Sequence, residues 1–201
     1  MTVNFAVAGA VLEPSCVDCI GRVRARVEQL RSTQFAARTD ADRRRANDRM
    51  VYALMSLYEV DPNAFSLSAG SLTVLQASMM RLGMLDLETQ PGRPPLPKDF
   101  GLTVAGIAAY AESGDEPLEL ARFNAARDAF LDRQADNPTG IPAYKITTPQ
   151  GWLITPDEIT AALGAYRTSI GDGAEPPRLF WWPYWIEFLE CAGKYLGARV
   201  G

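Results

Sequence analysis

The sequence predicts an α+β protein, a mostly α-helical single domain with a small antiparallel β-hairpin sheet. Three observations lead to this prediction. Apolar residues recur at helical spacing in several segments. Residues 3–12 and 140–154 have the composition or the alternation of short strands. Finally, 47% hydrophobic and 22% charged residues over 201 residues are typical of a globular chain that can bury a core.

A short apolar run near the start of the chain, residues 3–12, is predicted to form one buried strand. Pro14 ends this run. Ser15 followed by Asp18 is a capping-box pattern, so a helix is predicted to begin at Cys16. The apolar residues of that helix fall on one stripe and its arginines on the other faces.

Two further segments complete an N-terminal helical half, residues 1–88. Residues 50–60 are apolar on nearly all sides and fit a buried helix as well as a buried strand. Residues 71–87 are predicted to be helical because apolar side chains recur on one face. Those side chains are Leu72, Leu75, Met79 and Leu82.

A proline-rich connector, residues 89–100, follows this half and is the one plausible domain boundary, although the whole chain is expected to form one compact unit. The C-terminal half, residues 101–201, is predicted to contain helices at 102–112 and 117–135. Residues 140–154 then alternate as a strand, a turn and a return strand, which predicts a β-hairpin.

The remaining elements have clear start signals. Thr155, Pro156 and Glu158 supply an N-cap, an N1 proline and a capping-box acid, and so predict the start of a helix. The last helix is predicted from residue 183 to about residue 196, and residues 199–200 are expected to add a short third strand to the hairpin.

Net charge and its distribution argue against nucleic acid as the main partner. The net charge is −4, whereas residues 20–50 hold nine of the twenty basic residues against four acids. This basic segment is the only hint of nucleic-acid binding, and a solvated helix face explains it as well. No apolar run is long enough to span a membrane, and the first basic residue is Arg22, so we expect a cytoplasmic protein.

The residue inventory points away from catalysis. The chain has no histidine, which removes the Ser-His and Cys-His nucleophile pairs and histidine zinc sites. Cys16, Cys19 and Cys191 supply at most three thiolate ligands. We therefore expect no metal, no cofactor and no identifiable catalytic activity.

One motif supports an alternative hypothesis, in which the chain is a thiol-disulfide oxidoreductase. Cys16 and Cys19 form a CxxC motif at the start of a predicted helix, where the helix dipole lowers thiol pKa values. A later Ile-Pro ahead of a hairpin and a final helix resembles the thioredoxin-like family, especially its DsbA-like branch. The resemblance implies that Cys16 attacks, Cys19 resolves and Pro142 is a cis-proline facing them. Otherwise Cys16 is a small hydrophobic residue of the apolar stripe.

The leading hypothesis concerns an aromatic segment, residues 179–189, in which six of eleven residues are aromatic. Its periodic members are predicted to be core. Four other rings cannot all point inward and are the candidate binding residues: Phe180, Trp181, Trp182 and Tyr184. Because rigid amphipathic rings anchor interfaces, we expect a protein-protein interaction or assembly module with a protein partner or a homo-oligomeric contact.

Overall fold

The computed structural model describes residues 2–9, 64–103, 116–147 and 150–201, with residues 29, 39, 42, 105 and 108 as single positions. The helix predicted from Cys16 and the ambiguous residues 50–60 lie outside the described residues, as does most of the helix predicted at 102–112. In the part of the chain that is described, no helix has the length and apolar character needed to cross a bilayer.

Helices and an antiparallel sheet make up an α+β fold, as the sequence predicts. In chain order the described elements are β1 (Thr2–Val7), β2 (Ala64–Ser68), α1 (Ala69–Arg81), β3 (Leu85–Asp86), a 3-10 helix (Pro97–Phe100), α2 (Leu118–Leu131), β4 (Ile141–Pro142), α3 (Ala143–Thr147), β5 (Trp152–Ile154), α4 (Pro156–Gly171), α5 (Trp182–Ala192) and β6 (Ala198–Val200).

The main sheet is larger than the predicted hairpin. Among the described residues it has four strands in the order β2-β1-β6-β5, and every neighbouring pair is antiparallel. The register places Phe5 of β1 between Phe65 of β2 and Val200 of β6. A strand is present at 198–200, as predicted for 199–200, but it joins β1 to β5 instead of extending a hairpin.

The hairpin predicted over residues 140–154 is wrong. Strand β4 pairs in parallel with β3 in a separate two-stranded sheet, and residues 143–147 form the short helix α3 instead of a turn and a strand. Strand β5 pairs with β6. The helical turn buries Lys145 and Ile146 together, and the ammonium of Lys145 finds acceptors there that the alternating pattern did not indicate.

The core lies between one face of the sheet and the helices α1 and α5. Phe5 and Phe65 contribute rings from β1 and β2, and Trp185 of α5 lies against both, with ring centroids 5.0 Å and 5.2 Å away. Phe188 stacks on Trp185 at 5.6 Å. This aromatic cluster fixes α5 on the sheet. The predicted apolar stripe of Leu72, Leu75, Met79 and Leu82 is buried as expected. The helix predicted over 71–87 is shorter at its end, because α1 stops at Arg81 and residues 85–86 form β3.

A tight turn at Gly197 connects α5 to β6. Gly197 has a φ of +98°, and a Cβ there would overlap the carbonyl oxygen of Ile154. The carbonyl of Gly197 accepts a hydrogen bond from the amide of Ala8 at 2.8 Å. The turn therefore needs glycine both for its dihedral angle and for the close approach of β5.

We expect Gly197→Ala to lower the free energy of unfolding by at least about 2 kcal/mol, because backbone strain and steric overlap add. The matched control is Gly173→Ala. Gly173 also has a positive φ, +93°, but a Cβ there would have no neighbouring atom within 4 Å. That variant should lose only about 1 kcal/mol. Urea denaturation measures both, and equal losses would contradict the steric argument.

Candidate functional site

An open groove of about 660 Å³ lies between the end of α4, the loop 172–181 and the first turns of α5. Its apolar lining consists mainly of aromatic rings and prolines: Tyr166, Pro176, Pro177, Phe180, Trp182 and Ile186. The exposed side chains of Arg178 and Glu187 also line it. We call this the aromatic groove. Its volume lies within the range of sites that bind small molecules or peptide side chains.

Local sequence rules build the loop that forms one wall of this groove. Helix α4 ends at Gly171 with Asp172 as its C-cap, and Gly173 then adopts a positive φ of +93°. Two consecutive prolines, Pro176 and Pro177, then prevent a further helical turn. Helix α5 begins with Pro183 in its first turn. The wall is therefore stiff before any partner binds.

The four predicted binding residues divide between core and surface. Trp181 is 5% exposed and packs near Phe65 with ring centroids 6.2 Å apart, so it is a core residue. Trp182 is 2% exposed, although its ring lines the aromatic groove. Tyr184 is half-buried. Phe180 is 43% exposed and is the most accessible of the four.

Trp181 and Trp182 are buried because the inward-facing stripe of α5 begins at these residues, before the predicted start of the helix at residue 183. Trp181 precedes Trp185 by four residues, and Trp182 precedes Leu189 by seven. Both spacings return to the same side of a helix. The expectation that Trp181 and Trp182 provide surface is therefore corrected, whereas Phe180 keeps that role.

The indole N–H of Trp182 is buried and has no hydrogen-bond partner within the described residues. The indole groups of Trp152 and Trp185 share this condition. An unpartnered buried donor costs about 1–3 kcal/mol. The three tryptophans thus stabilise the core through the packing of their rings, and their indole N–H groups contribute no hydrogen bond in the described part of the chain.

A second, smaller depression of about 400 Å³ continues along the seam between α4 and α5. Its lining includes Thr160, Leu163 and Lys194. Arg167 and Glu190 also line it and form an ion pair across the seam at 2.9 Å. Both side chains of the pair are largely exposed, so it contributes little to stability.

A buried ion pair between Lys145 and Glu158 lies at the start of α4. The ammonium nitrogen is 2.7 Å and 2.8 Å from the two carboxylate oxygens, and both side chains are fully buried. It also donates to the carbonyl oxygens of Arg133 and Leu153, each at 2.7 Å. All ammonium donors therefore have acceptors, as a buried cation requires.

The carboxylate of Glu158 has a second task as a cap. It accepts hydrogen bonds from the amides of Thr155 at 2.9 Å and Ala135 at 3.0 Å. The hydroxyl of Thr155 in turn accepts from the amide of Glu158, which confirms the predicted capping box. Burial lowers the pKa of Lys145, while the hydrogen bond and the negative charge of Glu158 oppose that change. This saturated arrangement is structural, since no lone pair or donor is left for a substrate.

Two further titratable residues, Asp86 and Tyr144, have shifted pKa values. Asp86 accepts three hydrogen bonds, from the Thr89 hydroxyl at 2.7 Å and from the Thr89 and Glu88 amides. Burial acts to raise the pKa of Asp86, but these bonds outweigh it and the pKa is lowered. Burial, and then the charge of Glu158, raises the pKa of Tyr144. Its ring packs edge-on against Trp152.

The redox hypothesis can be compared with the described structure only at Pro142. Cys16 and Cys19 lie outside the described residues. Pro142 is described, and no peptide bond in the described ranges is cis, so the geometry that the resemblance implies at Pro142 is not present. Within those same ranges, no three acidic or cysteine side chains gather as a possible metal site.

Comparisons of this chain with family models, with curated proteins and with solved structures find no match. Among the described residues, the aromatic groove is the site whose geometry best supports a function.

We expect Lys145→Met to lower the free energy of unfolding by about 3–5 kcal/mol, because Glu158 then stays buried without its counter-charge. Adding Glu158→Gln should recover part of this loss, because the amide still caps α4 and carries no charge. Lys98→Met is the exposed control. Chemical denaturation of the unchanged protein, Lys145→Met, Glu158→Gln and the double variant gives the coupling energy, and a double variant at least as unstable as the sum of the single changes would contradict it.

Stability should also depend on Asp86 in acid. Because the folded pKa of Asp86 is lowered, its contribution is present above its unfolded pKa of about 3.8 and is lost as the pH falls through the folded value. Asp86→Asn should cost about 1–3 kcal/mol near neutral pH and flatten the acid dependence. The exposed Asp128→Asn is the control. A parallel shift of the stability curve at every pH would count against this account.

Proposed function

We propose that this protein is a non-catalytic protein-protein interaction module that binds its partner in the aromatic groove. The observation that carries the proposal is the exposure of Phe180 beside an apolar groove of about 660 Å³. We also propose the cytoplasm as its compartment, since three cysteines in 201 residues are too few for a disulfide framework.

The stiffness of the groove favours binding. Prolines 176, 177 and 183 restrict the backbone on two sides of it, and α5 is fixed on the sheet through Trp185. A wall that is already ordered loses little conformational entropy when a partner binds. For the same apolar contacts, the groove should therefore bind a partner with higher affinity than a mobile loop would.

The chemistry of the lining also favours recognition over catalysis. Three aromatic rings line the groove, and aromatic side chains that fill or border a pocket dominate the energy of many interfaces. The charged side chains in the lining, Arg178 and Glu187, are both exposed. Arg178 forms an ion pair with Glu175 at 3.2 Å. Charges in such positions orient a partner at the edge of an apolar contact.

The test selects peptides from a phage-displayed library of random 12-residue sequences with the full chain. Binding of a selected peptide to Phe180→Ala should weaken about tenfold or more, because the variant removes the accessible ring of the groove. Tyr195→Ala is the matched control, since Tyr195 is an aromatic residue that is 50% exposed and does not line the groove. Fluorescence anisotropy measures both affinities.

Two results would contradict the proposal. One is that the library yields no peptide that binds the folded chain. The other is that selected peptides bind Phe180→Ala as tightly as the unchanged protein. Thermal unfolding of both variants checks that the fold is kept. Trp181→Ala is unsuitable here, because Trp181 is buried beside Phe65 and its loss should destabilise the core.

A further inference from the structure

We propose that the aromatic groove binds an extended proline-rich segment, and that the segment it takes is residues 91–97 of a second copy of this chain. This inference rests on the proposed function and names the partner for the same groove. Its charge contact joins Arg93 of one copy to Glu187 of the other.

The lining of the groove suits a polyproline II segment. Such segments bind grooves lined with aromatic rings, and their extended conformation is already populated before binding, so little entropy is lost. The accessible rings here are Phe180, which is exposed, and Tyr166, which is half-buried, whereas Trp182 is only 2% exposed. The rings of Tyr166 and Trp182 are neighbours, with centroids 6.0 Å apart and planes inclined by 59°.

The chain carries a segment of this kind. Residues 91–97 read PGRPPLP, and residues 90–96 belong to neither a helix nor a strand. Leu96, at the end of this stretch, has φ −112° and ψ +144°, which is extended backbone. None of the seven residues is buried, and Arg93 and Pro94 are exposed. Gly92 has a φ of +74° and Pro97 begins the 3-10 helix, so residues 93–96 are the part of the segment that can be extended in the folded chain. At about 3.1 Å per residue, these four residues span about 12 Å.

The segment does not occupy the groove of its own chain. Every residue that lines the groove lies between residues 166 and 187. The described ion pair of the segment is local, between Arg93 and Asp99 at 3.5 Å, with both side chains well exposed. Such a contact is weak and readily exchanged. A second copy can therefore present residues 93–96 to the groove without unfolding any described helix or strand.

Charge complementarity supports this occupant. Glu187 lines the groove and is exposed, and the described structure contains no ion pair for it. Arg93 lies inside the proline-rich segment, between Gly92 and Pro94. When prolines occupy the rings, Arg93 of the second copy can reach the carboxylate of Glu187. Opposite charges at the edge of an apolar contact set orientation and partner choice.

The groove and the segment are different surfaces, so each copy offers both halves of the contact. Two copies that exchange segments form a closed pair, whereas one-way binding continues as an open chain. One seven-residue contact is small, and small interfaces are typical of weak and transient association. We therefore expect self-association that depends on concentration and is detectable at high micromolar protein.

The decisive experiment is a charge exchange in the full chain, followed by sedimentation velocity. Arg93→Glu and Glu187→Arg each place like charges at the proposed contact, so each variant alone should remain monomeric where the unchanged protein associates. An equimolar mixture of the two variants again offers a contact between opposite charges. The mixture should regain association, with at least a tenfold stronger tendency than either variant alone. Tyr195→Ala is the control and should associate normally.

A peptide experiment separates this inference from the proposed function. The labelled peptide of residues 89–100 should bind the full chain, and binding should weaken at least tenfold for Phe180→Ala or when Pro94, Pro95 and Pro97 of the peptide are alanine. The inference is overturned if the unchanged chain stays monomeric, if the variant mixture does not regain association, or if the peptide fails to bind. Library peptides that still depend on Phe180 would then leave the proposed function standing.

Discussion

The buried pair of Lys145 and Glu158 is the interaction on which the rest of the described fold depends. Its hydrogen bonds join four separate parts of the chain: the residues after α2, the helix α3, the strand β5 and the first turn of α4. A buried pair of this kind adds little net stability, because desolvation offsets the attraction. Its effect is positional, since any arrangement that separates the partners leaves an uncompensated buried charge. The start of α4 is thereby fixed against β5.

The position of α4 in turn defines the aromatic groove. Tyr166 of α4 lines the groove. Helix α4 packs against α5, and the rings of Tyr166 and Trp182 are in contact at one end of this packing. The opposite side of α5 is held by Phe5 and Phe65 of the sheet. The groove therefore lies between two elements with independent anchors, one electrostatic and one aromatic. Neither anchor includes the exposed side chains of the groove.

Local signals in the sequence predicted much of this fold. The α1 stripe, the capping box of Thr155 and Glu158 and the strand at 199–200 all depend on neighbours within a few residues. The hairpin prediction was wrong because the outcome depends on a contact between residues 13 positions apart, Lys145 and Glu158. A lysine in an alternating segment indicates solvent until its partner is known. Phe180 was predicted to be a surface residue, and it is exposed. The groove beside it could not be predicted, because its lining comes from both α4 and α5, and a linear pattern does not reveal how these two helices pack against each other.

The two faces of α5 explain why a binding surface can exist beside a core so rich in tryptophan. The inward face uses Trp181, Trp185 and Phe188, whose burial fixes the helix on the sheet. The outward side presents Ile186 and Glu187 to the groove, and neither is buried. Glu187 can therefore change without altering the packing of Trp185 and Phe188, whereas Trp182 and Ile186 line the groove and also pack in or against the core. Helix α5 thus holds the core through Trp185 and Phe188 and presents Glu187 on its exposed side, where the proposed partner would bind.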